Sequence, residues 1–211
     1  MLSRTPSVFV DGPVGRLQCV VEASVSAATD APLAVVCHPH PLHGGSLDNK
    51  VAQTLARAFV ALGYRTVRFN FRGVGESDGA WDEGRGEVDD ALAVVSAFRA
   101  AQQPMAVAGF SFGAYVASQL ASRIGEPPAL QRLVLVGPAV DTFAMAGVPA
   151  GTLIVQGQSD DVVPLDSVLR WAQSQSLAVT VLPGAGHFFH GQLGLLKQIV
   201  MSSALLPSAE A

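Results

Sequence analysis

The sequence is short of charged residues and cysteines, and it has no long apolar run. Only 14% of its 211 residues are charged, the net charge is −4, and the 13 Lys and Arg residues are scattered, so no basic patch indicates nucleic-acid binding. No apolar run approaches the ~18 to 20 residues of a membrane span, and the N-terminus lacks the apolar core of a signal peptide. Cys19 and Cys37 each lie in an apolar run, which favours buried reduced thiols over a disulfide. We therefore expect a cytoplasmic protein that binds neither nucleic acid nor membrane.

The composition that remains is that of one globular domain. Hydrophobic residues make up 49% of the chain, which is too apolar for disorder. The length is enough to bury one large core but short for two cores and a linker. No internal repeat, low-complexity segment or linker is evident. We expect a single domain over residues 1–211, with a frayed tail over 207–211.

Short apolar runs alternate with helix-like stretches along the chain. Residues 7–11 and 17–22 flank a Gly/Pro turn and predict an antiparallel hairpin at a sheet edge. The other predicted strands are 33–37, 64–69, a central strand starting at 104, 133–137, 152–156 and 179–182. Helices are predicted over 48–62, 86–101, 114–124, 165–175 and 193–205. This alternation predicts an α/β fold with a mostly parallel sheet of about eight strands and helices on both faces.

The most informative stretch is Gly109-Phe110-Ser111-Phe112-Gly113, which ends an apolar run and precedes a helix-like segment. This G-x-S-x-G pattern is typical of a nucleophile elbow, a tight strand-to-helix turn that exposes a serine. Glycines on either side leave room for the neighbouring strand and helix. The Phe112 N–H would lie at a helix start, where partial positive charge favours an oxyanion. The pentapeptide alone is a weak signal, but its position between strand and helix predicts that Ser111 is a nucleophile.

A nucleophilic serine also needs a base and an acid, and both types of residue follow it in the chain. A serine hydroxyl reacts slowly at neutral pH unless a base takes its proton. Asp160 and Asp161 come just after a predicted strand, and His187 follows the next strand. The chain order serine, aspartate, histidine is that of α/β-hydrolases and differs from those of the chymotrypsin and subtilisin types.

With these motifs in place, the chain resembles the small lidless bacterial serine hydrolases of the α/β-hydrolase superfamily, in the dienelactone-hydrolase and esterase/thioesterase branch. The resemblance covers nearly the whole chain, and the motifs together are far more specific than any one of them. The segments that carry it are 38–45 (HPHPLHGG), 72–77 (RGVGES), 109–113 (GFSFG), 157–164 (GQSDDVVP) and 186–187 (GH).

The resemblance implies a fold, an activity and specific residue roles. It implies a hydrolase of carboxyl esters or thioesters that needs no cofactor and acts on a small molecule. The family's acid motif falls on Asp160, which leaves Asp161 as a loop residue. The second backbone N–H for an oxyanion falls on His40, with Leu42 as the fallback.

Two other kinds of function are compatible with the same residues. One is a peptidase or a C–C hydrolase that uses the same three side chains. The other is a non-catalytic binding protein on a hydrolase scaffold, although decayed versions of the fold typically lose the serine or the histidine.

Residue counting predicts that the fold carries no lid or cap domain. In lidded relatives the cap is inserted after the strand that follows the elbow helix, and here only Gly137 to Gly151 separates that strand from the next one. This length accommodates about one helix and two turns.

The loop at 38–45 contains three histidines and admits a second interpretation. His38, His40 and His43 form H-x-H-x-x-H, which is similar to a zinc motif that has an aspartate where this chain has Leu42. No downstream set of Asp and His completes a metal site. We therefore favour a loop that shapes the pocket, with His38, Leu42, His43 and Phe110 as pocket residues.

Several other residues are compatible with either a structural or a functional role. Trp81 and Trp171 are consistent with packing or with substrate contact, and His190 is consistent with an exposed residue or a second-choice base. Gly73-Val-Gly75 is half of a dinucleotide fingerprint, but Asp78 stands where the third glycine is needed, so we expect a tight turn.

Overall fold

A computed structural model of the chain describes residues 6–25, 30–125 and 129–203. The predicted tail at 207–211 and the end of the last predicted helix, 204–205, lie outside these residues. The strands are β1 Ser7–Gly12, β2 Gly15–Glu22, β3 Leu33–Cys37, β4 Arg65–Phe69, β5 Met105–Phe110, β6 Leu130–Val136, β7 Leu153–Gly157 and β8 Val179–Leu182. The α-helices are α1 Lys50–Ala61, α2 Arg85–Phe98, α3 Phe112–Ile124, α4 Leu165–Ser174 and α5 Leu193–Ser202, and Pro41–His43 forms one 3₁₀ turn.

The eight strands form one sheet in the order β1-β2-β4-β3-β5-β6-β7-β8. The hairpin β1–β2 and the pair β2–β4 are antiparallel, and every other pairing is parallel. The predicted α/β-hydrolase fold with a mostly parallel sheet of about eight strands is confirmed. Strand β5 lies between β3 and β6, with Cys37 opposite Gly109 and Phe110 opposite Val136. The carboxyl ends of these three strands therefore meet at one edge, and Ser111 follows directly.

Helices cover both faces of the sheet. Because successive side chains of a strand point to opposite faces, a central strand contributes to two separate cores. In β3, Leu33, Val35 and Cys37 pack with α2 and α3, whereas Ala34 and Val36 pack with α1 and α5. All five residues of this strand are buried, which explains why it is a continuous apolar run. Cys37 and Cys19 are buried free thiols, and burial raises the pKa of each.

Several predicted boundaries were wrong by a few residues. Helix α3 begins at Phe112 and not at 114, because Ser111 itself forms the turn and the helix starts immediately after it. Helix α2 ends at Phe98 and not at 101, because Arg99 is already extended and Gln102 has a positive φ of 61°. Strand β6 begins at Leu130, three residues before the predicted 133.

The connection between β6 and β7 is where a cap domain would be inserted. Residues 137–152 all lie in the described part of the chain and contain no helix or strand. The predicted absence of a cap domain is therefore confirmed, and the carboxyl edge of the sheet is open. Among the described residues, no helix is both long and apolar enough to cross a membrane.

Candidate active site

Ser111 lies on a strained turn between the central strand β5 and helix α3. Its backbone has φ 57° and ψ −118°, a conformation that costs energy for any residue except glycine. The turn is tied to the sheet because the Ser111 N–H donates to the Val136 carbonyl at 2.9 Å. A Cβ on Gly109 would lie 2.0 Å from the Gly113 oxygen, and one on Gly113 would lie 2.2 Å from the Cys37 oxygen. Gly109 is therefore required for helix α3 to pack against β5, and Gly113 for the helix to pack against the end of β3.

Three side chains from different loops meet at this edge of the sheet. The Nε2 atom of His187 lies 3.1 Å from Ser111 Oγ, and its Nδ1 lies 2.8 Å from Asp160 Oδ2. Asp160 follows β7 and His187 follows β8, so the parallel sheet brings together residues that are 76 positions apart. The carboxylate fixes the tautomer, because Nδ1 must donate to Asp160 and Nε2 is then free to accept from the serine hydroxyl. Ser111 keeps 8% of its surface exposed, so it is largely buried but still reached by solvent.

Asp160 is held as a carboxylate by its hydrogen bonds. Burial alone would raise its pKa, but hydrogen bonds from His187 and from the Val163 and Val162 N–H groups outweigh burial and lower the pKa below its ordinary value. The two backbone bonds to Oδ1 measure 2.7 Å and 2.9 Å. The neighbouring Asp161 is exposed. The structure thus brings Asp160, and not Asp161, to the histidine.

Phe110, which the sequence suggested as a pocket residue, is fully buried. Its ring lies 4.8 Å from the His187 ring, so it packs behind the imidazole and does not face the open edge. Phe188 contacts both rings, with its centroid 5.1 Å from His187 and 6.0 Å from Phe110, and is 46% exposed. His190 is exposed too, near Phe188, and lies outside the Ser111–His187–Asp160 chain of hydrogen bonds.

His38 does not line an open pocket either, since it is fully buried. Its Nδ1 donates to the Pro39 carbonyl at 2.6 Å, and its Nε2 accepts from the Phe71 N–H at 3.2 Å. Burial lowers the pKa of His38 to about 3, so the ring is neutral at physiological pH. Both nitrogens are used, which leaves no lone pair for a metal ion and removes the basis of the zinc interpretation. The side chain instead ties the loop after β3 to the loop after β4.

The rest of the loop after β3 is more open. Leu42 is 66% exposed and His43 is exposed. The His40 and His43 rings stack with centroids 4.5 Å apart, and the Leu42 N–H donates to His40 Nδ1 at 3.2 Å. Trp81, which the sequence left undecided, lies 4.5 Å from the His40 ring and 5.0 Å from that of Phe112. The partly exposed His40 and Trp81 rings thus pack on buried Phe112, the residue that follows Ser111.

The segment 72–77, which contributed to the family resemblance, is structural. Arg72 makes a bidentate hydrogen-bonded ion pair with buried Asp90, its shortest contact being 2.7 Å. Ser77 donates to the Asn70 carbonyl at 2.8 Å. Gly73 and Gly75 have positive φ, as expected for tight turns. This segment holds the loop after β4 in place beside the site.

Sequence reasoning missed one residue at the site, Gln156. This side chain is fully buried on β7 and donates to Asp160 Oδ2 at 3.0 Å. The available signal was a polar residue within the otherwise apolar strand 153–157, one position before its final glycine.

Comparisons with known proteins identify the family to which the chain belongs. A family model described as serine aminopeptidase, S33, matches residues 30–146, a range that includes the serine turn and the loop after β3. The chain therefore belongs to this family of α/β-hydrolases.

Individual relatives cover more of the chain. An α/β serine hydrolase without a lid from Xanthomonas campestris is 35% identical, with a TM-score of 0.87 over 100% of this chain and 99% of that one. An α/β serine hydrolase homologue from Coxiella burnetii is 38% identical, with a TM-score of 0.81 over 96% and 98%. An uncharacterized protein of Rickettsia prowazekii is 36% identical over 87% of this chain and 82% of that protein.

Proposed function

We propose that the protein hydrolyses carboxyl esters or thioesters of small molecules by acyl transfer through Ser111. The observation that carries this proposal is the continuous chain of hydrogen bonds from Ser111 Oγ through the His187 imidazole to the Asp160 carboxylate. Such a chain is what a weak hydroxyl nucleophile needs in order to lose its proton as it attacks.

The proposed reaction has two halves. In the first, Ser111 Oγ attacks the carbonyl carbon, its proton passes to His187 Nε2, and the same proton is returned to the departing alcohol or thiol. In the second, water attacks the acyl-serine and loses a proton to His187, which returns it to Ser111. Asp160 stabilises the imidazolium formed in each half. This chemistry requires no cofactor.

The negative charge on the carbonyl oxygen needs donors, and we propose the N–H groups of Phe112 and His40. Within the described residues neither N–H donates to a protein acceptor, whereas the fallback donor, the Leu42 N–H, is used by His40 Nδ1. His38 holds the Pro39 carbonyl, and a trans peptide directs the His40 N–H the opposite way. Each donor of this kind contributes about 3 kcal/mol to the transition state in comparable sites.

A peptidase is the second candidate, and one observation favours it: the matching family model is described as serine aminopeptidase. The same three side chains can also cleave an amide, provided that His187 protonates the amide nitrogen before the amine leaves. A C–C hydrolase on these side chains is a further alternative. A non-catalytic binding role is disfavoured, because the serine, histidine and aspartate are all present and hydrogen-bonded.

Labelling with a fluorophosphonate, followed by peptide mapping, tests the proposal directly. We expect modification of Ser111 alone, because only a serine activated by a base reacts with this probe. Ser111→Ala should abolish labelling and lower turnover by several orders of magnitude. Persistent labelling of this variant would show that the nucleophile is another residue. Parallel assays with short-chain esters, acyl-CoA thioesters and aminoacyl amides separate the esterase proposal from the peptidase alternative.

A further inference from the structure

Gln156 has an unusual environment for an uncharged side chain inside a strand. It is fully buried, and its Nε2 donates both to Asp160 Oδ2 at 3.0 Å and to the Val163 carbonyl at 2.8 Å. Its Oε1 is buried and has no hydrogen-bond partner within the described residues. The assignment of the two amide atoms is clear, because both neighbours of Nε2 are acceptors.

A buried acceptor without a partner destabilises the folded state. Methionine has a similar length and shape and carries no such acceptor, so it would avoid this cost at position 156. Any benefit of glutamine over methionine at this position therefore comes from its N–H group. That group reaches the acid of the proposed site.

The contacts of Asp160 show what the N–H group does. The Val162 and Val163 N–H groups hold Oδ1, whereas among the described residues Oδ2 accepts from two groups, His187 and Gln156. Both backbone bonds go to Oδ1. They therefore do not fix the position of Oδ2, the oxygen that orients the imidazole. The rigid strand β7 supplies that partner through Gln156.

We propose that Gln156 is a positioning residue: it holds Asp160 Oδ2 against His187 so that the imidazole faces Ser111. The proposal rests on the proposed function of these three residues. A purely structural role would lower stability in a Gln156 variant without changing the His187 signal.

The test compares the wild-type protein with Gln156→Met. We expect the fluorophosphonate labelling rate and kcat of ester hydrolysis to fall roughly tenfold, as for the loss of a hydrogen bond to a charged group, with KM unchanged. The melting temperature should fall, because Asp160 Oδ2 and the Val163 carbonyl each lose a hydrogen bond, so labelling and turnover are compared well below both melting transitions. In proton NMR, the downfield signal of the His187 Nδ1–H should shift or broaden.

Gln18→Met is the matched control, because this half-buried glutamine on β2 accepts hydrogen bonds from the Asn70 amide and the Glu76 N–H and, in the described part of the chain, bonds none of Ser111, Asp160 and His187. It should lose stability and leave the labelling rate and the His187 signal unchanged.

A double-mutant cycle with Asp160→Asn tests the route of the effect. If Gln156 acts through Asp160, Gln156→Met should have little further effect in the Asp160→Asn background. If the double variant loses activity by the product of the two single-variant factors, the proposal is overturned. An unchanged His187 signal in Gln156→Met would also overturn it. If the wild-type protein is neither labelled nor active, the proposed function fails, and the NMR comparison still decides whether Gln156 positions the pair.

Discussion

At the scale of single residues, Asp160 and Asp161 are chain neighbours with opposite surroundings. Asp160 is buried against His187, and Asp161 is exposed. We expect Asp160→Asn to lower kcat by roughly 10³- to 10⁴-fold, since the asparagine amide favours the wrong imidazole tautomer. Asp161→Asn removes the same charge from the same loop and should stay within about twofold of the wild type. Steady-state ester hydrolysis checks the ranking, and the reverse order would place the acid one residue later.

The buried, neutral His38 should make the stability of the fold sensitive to acid. Because burial lowers its folded pKa from 6.5 to about 3, the unfolded chain binds a proton between these pH values and the folded protein does not. Stability contributed by neutral His38 is therefore present above about pH 6.5 and is lost progressively as the pH falls towards 3.

His38→Gln tests this, since glutamine can hydrogen-bond but does not titrate. Its urea-unfolding free energy should fall less steeply than that of the wild type between pH 7 and pH 4. Equal slopes for the two proteins would show that His38 does not carry the acid sensitivity.

At the scale of elements, the contact between helix α3 and strand β3 depends on Gly113. An added Cβ would overlap the Cys37 and His38 carbonyls, 2.2 Å and 2.5 Å away, so the helix would have to move off the strand. We expect Gly113→Ala to destabilise the protein by about 1–3 kcal/mol and to lower the labelling rate, because the same shift displaces Ser111.

Gly194→Ala, in helix α5, is the matched change in open space, because among the described residues no side chain or other element lies within 4 Å of the added Cβ. It should stabilise the protein by roughly 0.5–1 kcal/mol and leave the labelling rate unchanged. Chemical denaturation of both variants measures the contrast. A Gly113→Ala protein as stable and reactive as the wild type would mean that the elbow tolerates a side chain.

At the scale of the whole molecule, the open carboxyl edge of the sheet predicts simple kinetics. The connection 137–152 carries no helix or strand that could cover Ser111, so no lid movement precedes substrate binding. We expect short-chain, soluble esters to be the better substrates, with rates that rise hyperbolically with concentration. Rates measured across the micelle threshold of a long-chain ester provide the check. An abrupt rise at the threshold, as a moving lid produces, would contradict an open site.

Much of this architecture could be predicted locally. Continuous apolar runs such as Leu33–Cys37 predicted strands buried on both faces, and the G-x-S-x-G pentapeptide predicted the turn at Ser111. Both succeed because the constraint lies within a few neighbouring residues: a strand covered on two sides must be apolar, and a closed elbow admits only glycine beside its strand and helix. Element ends were less certain, since capping geometry set them, as at Arg99.

The surroundings of each site residue were decided by tertiary structure. Three histidines within the loop after β3 look equivalent in the sequence, yet His38 is buried and bonded to two backbone groups while His43 is exposed. Gln156 looked like an ordinary strand residue, but the loop after β7 folds back and places Asp160, four positions later, against its amide, where His187 from the loop after β8 also meets it. Hydrogen bonding, burial and the pKa values that depend on them arise from groups distant in the chain, so local sequence determines which side chains are present but only the packed sheet determines which of them meet.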